Sequence, residues 1–171
     1  RADAVQKITT KLNHRGGSLD PHACFLLHRG LKTLSVRVRY QNESALAVAA
    51  YLEKHLQVRR VHYPGLESHP DHERARRLLD GFGGMLSFEL EGDVERADAF
   101  LRRTTLPISA PSLGGVETLI TRPATTSHAG VSPEDRKAMG ISDTLIRLSV
   151  GLEHPDDLIA DFDQALQNLG T

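Results

Sequence analysis

The sequence predicts an α+β fold, a small sheet with strands of mixed direction and helices over one face. Three observations predict it. Strand-like and helix-like segments alternate from about residue 58 to the end. The strand candidates are short and alternate apolar with polar residues, as half-buried strands do. The helix candidates carry start signals and a single apolar stripe. The 171 residues are 39% hydrophobic and 25% charged, enough for one domain with a real core or one domain plus an appendage. No apolar run approaches the length of a membrane span, and no signal peptide opens the chain.

The elements follow in order. The first twenty residues are mixed and end in the turn Gly16-Gly17-Ser18-Leu19-Asp20-Pro21, which starts a helix. Residues 24–34 are largely apolar, and 43–56 read as a helix with Leu46, Ala49, Ala50, Leu52 and Leu56 at helical spacing. Nothing between Pro21 and Leu56 forces a break, so one long or jointed helical region is expected, with any domain boundary between Arg39 and Val58. Val58 and then 61–63 read as a strand stopped by Pro64-Gly65, and 71–79 as a helix ending near Gly81. Residues 85–90 alternate, with Leu86, Phe88 and Leu90 on one face. Asp93 caps a helix running to about Arg103. Segments 107–110 and 116–121 read as strands around the turn 111–115. Ser132-Pro133-Glu134-Asp135 is a helix start, and Gly140 suits that helix's end. Residues 144–150 alternate, with Ile146, Leu148 and Val150 on one face and Leu145, Arg147 and Ser149 on the other. Pro155 opens a last helix whose stripe is Leu158, Ile159, Phe162, Leu166 and Leu169.

Charge and composition narrow the function. The net charge is −1, a poor fit to a dedicated nucleic-acid or membrane-surface binder. Arg59-Arg60, Arg74, Arg76-Arg77 and Arg102-Arg103 read as solvated helix faces, and 5% aromatics without Trp leaves no stacking platform. Cys24 is the only cysteine, so no internal disulfide forms; its apolar surroundings predict a buried, inert thiol, and a reducing, cytoplasmic setting is expected. His69-Pro70-Asp71-His72-Glu73 lacks the metal-ligand spacing His-Glu-x-x-His, since Arg76 stands where the second histidine belongs. No metal is expected. Gly81-Phe82-Gly83-Gly84 precedes a strand rather than a helix and is read as a turn, not a dinucleotide fingerprint.

Two positions suggest chemistry. Arg147 sits mid-strand, where the backbone would hold a guanidinium rigid enough to grip a carboxylate through two parallel hydrogen bonds. On pattern alone a solvent-facing strand arginine explains it more simply. Ser112 lies in a Gly-rich turn, where a hydroxyl and backbone amides can face a ligand together; on pattern alone it is an ordinary turn serine.

At these residues the sequence resembles the C-terminal part of the trans-sulfuration enzymes, the pyridoxal-phosphate (PLP) enzymes of cysteine and methionine metabolism. The matching stretches are Leu19-Asp20-Pro21, residues 29–34 (RGLKTL) and 61–66 (VHYPGL). They continue with 81–90 (GFGGMLSFEL), 112–120 (SLGGVETLI), 127–130 (SHAG), 140–143 (GISD) and 145–153 (LIRLSVGLE), in the family's order and spacing. The resemblance implies PLP fold type I. By it, residues 1–40 finish a large PLP domain, 41–57 form a connecting helix, and 58–171 form a small C-terminal domain with an antiparallel-type sheet. It implies that Arg147 binds the substrate's α-carboxylate, and that Ser112 helps hold that carboxylate and the cofactor lysine. Pro111 and Leu113 flank that serine in the substrate site.

Two departures matter. Many γ-lyases and bacterial γ-synthases carry a glutamate where this chain has Pro111; plant γ-synthases are similar to it in having proline, which leans the reading to γ-synthase-like chemistry. The family's Schiff-base lysine lies in a Ser-x-Thr-Lys motif well upstream of the Leu-Asp-Pro turn, and Ile8-Thr9-Thr10-Lys11 does not match it. The stacking tyrosine and the ring-nitrogen aspartate are upstream too, so no catalytic residue is expected in this chain. The resemblance therefore implies part of an enzyme acting on homoserine esters, cystathionine or methionine. Its partners would be the amino-acid substrate, the remainder of the PLP domain and, as in relatives, three further subunits of a homotetramer. A non-catalytic module, or a subunit completed by a separate PLP-domain chain, is the alternative. Arg1 in place of Met reads as a cut rather than a mature terminus.

Overall fold

The computed structural model describes residues 1–170, which divide into two compact units, 1–36 and the rest from residue 37 onward. In the first, α1 (Ala2–Arg15) and α2 (Pro21–Leu31) bury no residues. The Asp20 carboxylate accepts from the backbone N–H groups of His22 and Ala23 and starts α2, with Pro21 at its first position. The mixed character of the first residues gave no hint of α1. Cys24 is exposed, contrary to the buried thiol its apolar neighbours suggested. An apolar run places a residue inside only where something packs on it, and Phe25, Leu26 and Leu27 beside it are exposed as well.

Helix α3 (Leu34–Glu53) leads into the second unit. It buries Ala45, Val48, Ala49 and Leu52. It begins earlier than residue 41 and stops at Glu53, short of 57. Two tighter bonds close its end, from the N–H of Lys54 to Tyr51 and from that of His55 to Leu52. Leu56 therefore falls beyond the helix, 94% exposed, and Leu46 lies on its open face. Both were expected in the apolar stripe.

The sheet has five strands in the order β1-β2-β5-β4-β3: β1 (Val58–His62), β2 (Met85–Leu90), β3 (Ile108–Ser109), β4 (Leu119–Thr121) and β5 (Leu145–Ser149). All neighbours are antiparallel except β3 and β4, which run parallel. The remaining helices are α4 (His72–Leu78), α5 (Val94–Arg103), α6 (Pro133–Ala138) and α7 (Pro155–Gln167). Asp93 and Ser132 cap α5 and α6 by accepting from the backbone N–H three residues further on, that of Arg96 and that of Asp135, as the sequence predicted.

One apolar cluster holds this unit together. Alternate strand residues Leu86, Phe88, Leu90, Ile120, Ile146 and Leu148 pack with α3, with Ala97 and Phe100 of α5, and with Leu158, Phe162 and Leu166 of α7. Phe100 meets Phe88 edge-on at 5.8 Å and Phe162 at 5.9 Å. Burying side chains of this size contributes roughly 1.5–3 kcal/mol each, which fixes which strand residues turn away from the helices. They include Ser87, Glu89, Thr121, Arg147 and Ser149.

Candidate functional site

The register of the sheet assembles a polar row on the face away from the apolar cluster. His62 lies opposite Ser87, Ser87 opposite Arg147, and Arg147 opposite Thr121. Arg147 thus sits mid-row, on a strand with paired neighbours on both sides. Its Nη2 donates to the carbonyls of Pro111 at 2.6 Å and Ser112 at 2.9 Å. Its Nε is buried and unpartnered among the described residues. Glu89, on the same face, is held by the His62 ring at 3.0 Å. Burial pushes the Glu89 carboxyl up, but hydrogen bonding led by His62 outweighs it and holds it below its ordinary value. Among the described residues Arg147 has no acidic partner.

The loop between β3 and β4 is hung on the end of β5 and the segment after it. The Ser149 hydroxyl accepts from the Gly114 N–H at 2.9 Å. Leu152 N–H donates to the Val116 carbonyl at 2.8 Å. Both Glu153 carboxylate oxygens engage Thr118, from its N–H at 2.7 Å and from its hydroxyl at 2.6 Å; that hydroxyl accepts in turn from Gly151 N–H at 2.8 Å. From the other side, buried Gln41 on α3 donates through Nε2 to the Gly115 carbonyl at 2.8 Å. The loop's backbone is thereby fixed while Pro111, Ser112 and Leu113 remain exposed.

The structure therefore brings Arg147 against Pro111 and Ser112, 35 residues and more apart in sequence. Leu113 stands beside them on the loop without touching the guanidinium through any hydrogen bond. The Ser112 hydroxyl makes no hydrogen bond among the described residues. Sequence reasoning assigned no role to Gln41, Thr118, Ser149, Gly151 and Glu153. The signal was present for Ser149, which the two-residue period places on the face of Arg147. It was absent for Gln41, whose partner lies 74 residues away.

Chemically, a fixed guanidinium with a buried free N–H, no acid partner and an exposed hydroxyl nearby fits a carboxylate. A guanidinium has five N–H donors, and the two loop carbonyls engage only Nη2, which leaves donors for an incoming carboxylate. Among the described residues of the second unit, neither Lys54 nor Lys137 makes a hydrogen bond or ion pair to residues 111–118 or to β5. The metal reading of the 69–73 cluster finds other duties for its histidines. The His72 ring contacts the Pro64 carbonyl at 2.9 Å and stacks on Phe82, and His69 accepts from Asp71 N–H. No group of three metal-ligating side chains is placed together among the described residues, and no helix among them is long and apolar enough to cross a membrane.

The chain is 50% identical over 160 residues to the cystathionine gamma-lyase of Dictyostelium discoideum, a match covering 94% of this chain and 41% of that protein. It is 47% identical over 165 residues to the chloroplastic cystathionine gamma-synthase 1 of Nicotiana tabacum, covering 96% of this chain and 31% of that one. The crystal structure of cystathionine gamma synthase from Xanthomonas oryzae pv. oryzae, in complex with cystathionine, matches with a TM-score of 0.86 and 42% identity over 99% of this chain and 44% of that one. The chain thus spans less than half the length of these relatives. The model of one family, described as Cys/Met metabolism PLP-dependent enzyme, matches residues 1–167, and the chain belongs to that family.

Proposed function

We propose that this chain is the C-terminal part of a PLP-dependent enzyme of sulfur amino-acid metabolism, and that it supplies the clamp for the substrate's α-carboxylate. One observation carries the proposal: two loop carbonyls fix Arg147 through Nη2 alone, and its guanidinium has no acidic partner among the described residues. A carboxylate seated there fixes the orientation of the amino acid's Cα, which is a positioning effect. The exposed Ser112 hydroxyl is a further donor beside it. When bound, PLP supplies an electron sink for removing protons from the amino acid. The residues that hold it, its lysine included, would come from outside this chain. Residues 1–40 would finish the large PLP domain, 41–57 would connect, and 58–171 would be the small domain, in a cytoplasmic homotetramer.

The reaction class is γ-replacement or γ-elimination on homoserine esters, cystathionine or methionine. Pro111, which places no carboxylate beside the distal end of the substrate, favours the γ-synthase side. The test is an assay of the complete, PLP-loaded enzyme with an O-acyl-homoserine plus cysteine, against L-cystathionine alone. Faster condensation than cystathionine cleavage is expected. Faster cleavage would overturn the synthase lean, and no turnover of either would overturn the proposal.

A further inference from the structure

We infer that Ser149 is a positioning residue for the carboxylate clamp, acting through the backbone of Gly114. The inference rests on the carboxylate-clamp reading of Arg147 given above. Ser149 is 2% exposed in a strand where an apolar side chain would be cheaper to bury. Its hydroxyl has one partner among the described residues, the N–H of Gly114 at 2.9 Å. Ser149 and Arg147 are two apart on β5, so their side chains leave the same face side by side. Each takes hold of the loop at a different point. Arg147 grips the carbonyls of Pro111 and Ser112, and Ser149 grips the N–H two residues further on.

The two grips are complementary. Arg147 draws on acceptors, Ser149 on a donor, so together they fix the orientation of two successive parts of the turn around Ser112. Gly114 makes this geometry available. Its φ is +77°, a left-handed conformation that side-chain-bearing residues resist, although an added Cβ would meet nothing within 4 Å. The glycine is thus required by its dihedral and not by crowding. Without the Ser149 bond, the turn would keep its grip on Arg147 Nη2 but lose the restraint that sets where the Ser112 hydroxyl stands relative to the guanidinium. Ser149 itself acts through the loop and not by touching substrate.

The test uses the complete enzyme with L-cystathionine as the measured substrate. Ser149→Ala is expected to raise KM about threefold to tenfold, the worth of one neutral hydrogen bond, with kcat changed less than twofold. Ser149→Thr, which keeps the hydroxyl, restores KM. Gly114→Ala acts on the other end of the same contact and raises KM similarly, and the double variant is no worse than the poorer single. Amide exchange of the peptide covering 111–115 rises in Ser149→Ala. Arg147→Ala is the control for the underlying reading. If it leaves KM unchanged, the clamp reading falls and this inference with it. If Arg147→Ala raises KM but Ser149→Ala does not, or if Ser149 and Gly114 effects multiply, the clamp stands and the role of Ser149 is overturned. Should Ser149→Ala fail to fold, the KM and exchange of Gly114→Ala decide, an unchanged KM counting against the inference.

Discussion

Arg147 donates through one nitrogen, Nη2, to the carbonyls of both Pro111 and Ser112, at 2.6 and 2.9 Å, and leaves Nε buried and free. The loop therefore orients the guanidinium before any ligand arrives. Arg147→Lys keeps the charge but replaces a planar fork with a point charge that cannot hold the loop and a carboxylate together. Hydrogen bonds to charged groups are worth about 1.5–3 kcal/mol. Steady-state kinetics of the complete enzyme should show KM for the amino acid raised roughly 10- to 150-fold in Arg147→Ala, with Arg147→Lys recovering only part of it. Full recovery by lysine would show that charge alone suffices.

Gly151 passes so close to the loop that a Cβ there would lie 2.4 Å from the Val116 carbonyl oxygen and 2.5 Å from Thr118 N. The atoms in the way are backbone, so they cannot swing aside as a flexible side chain would. Gly151→Ala should destabilise by about 1–3 kcal/mol or displace 116–118, pulling Thr118 from Glu153. A lower thermal midpoint together with a raised KM is expected. A variant with an unchanged midpoint and unchanged KM would mean that the backbone gives way there at no cost.

Much of the fold was legible because local chemistry and tertiary packing agree. Asp93, Ser132 and Pro155 mark helix starts, and the alternation in 85–90 and 145–149 fixes which side chains face the helices. Where legibility failed, the deciding term lay outside the segment. Leu56 kept helical spacing past a helix that ends at Glu53, and Cys24 kept apolar neighbours that are exposed like it. The site was half legible. Arg147 and Ser112 drew notice through strand rigidity and glycine content, but their contact needs the loop to fold back over β5. That path is set by Gln41, Ser149, Gly151 and Glu153, and by β3 running parallel to β4, which no local pattern encodes.

Pro111 offers its carbonyl to Arg147 and an exposed, uncharged ring to solvent. Pro111→Glu keeps the carbonyl and adds a carboxylate at the turn. The distal ammonium of cystathionine would be attracted to it, and an O-acyl-homoserine with an anionic acyl group repelled. Exposed charge pairs are worth roughly 0.2–1 kcal/mol. Each kcat/KM should therefore shift about 1.5- to 5-fold in opposite directions, so the ratio for cystathionine over the ester should rise roughly 2- to 25-fold. A ratio that stays fixed would remove Pro111 from the substrate's distal end.

Asp161 on α7 holds the chain where it enters β3. Its carboxylate accepts from Thr105 N–H at 2.9 Å, the Thr105 hydroxyl at 2.7 Å and Leu106 N–H at 3.1 Å, with Gln164 Nε2 at 3.1 Å. Burial pushes its pKa up, but these bonds, the Thr105 hydroxyl foremost, outweigh burial and hold it below the ordinary carboxylate value. A depressed pKa means the folded state prefers the charged form. Its stabilisation is complete above the unfolded value, about 3.9, and is lost as pH falls through the lower folded value. Asp161→Asn turns one acceptor oxygen into a donor facing N–H groups and should cost about 1–3 kcal/mol near pH 7. Urea midpoints followed from pH 8 to pH 3 should show a constant gap between parent and variant down to about pH 4, closing below it. A gap that persists unchanged at pH 3 would mean that the shape of the side chain, and not its charge, anchors the strand.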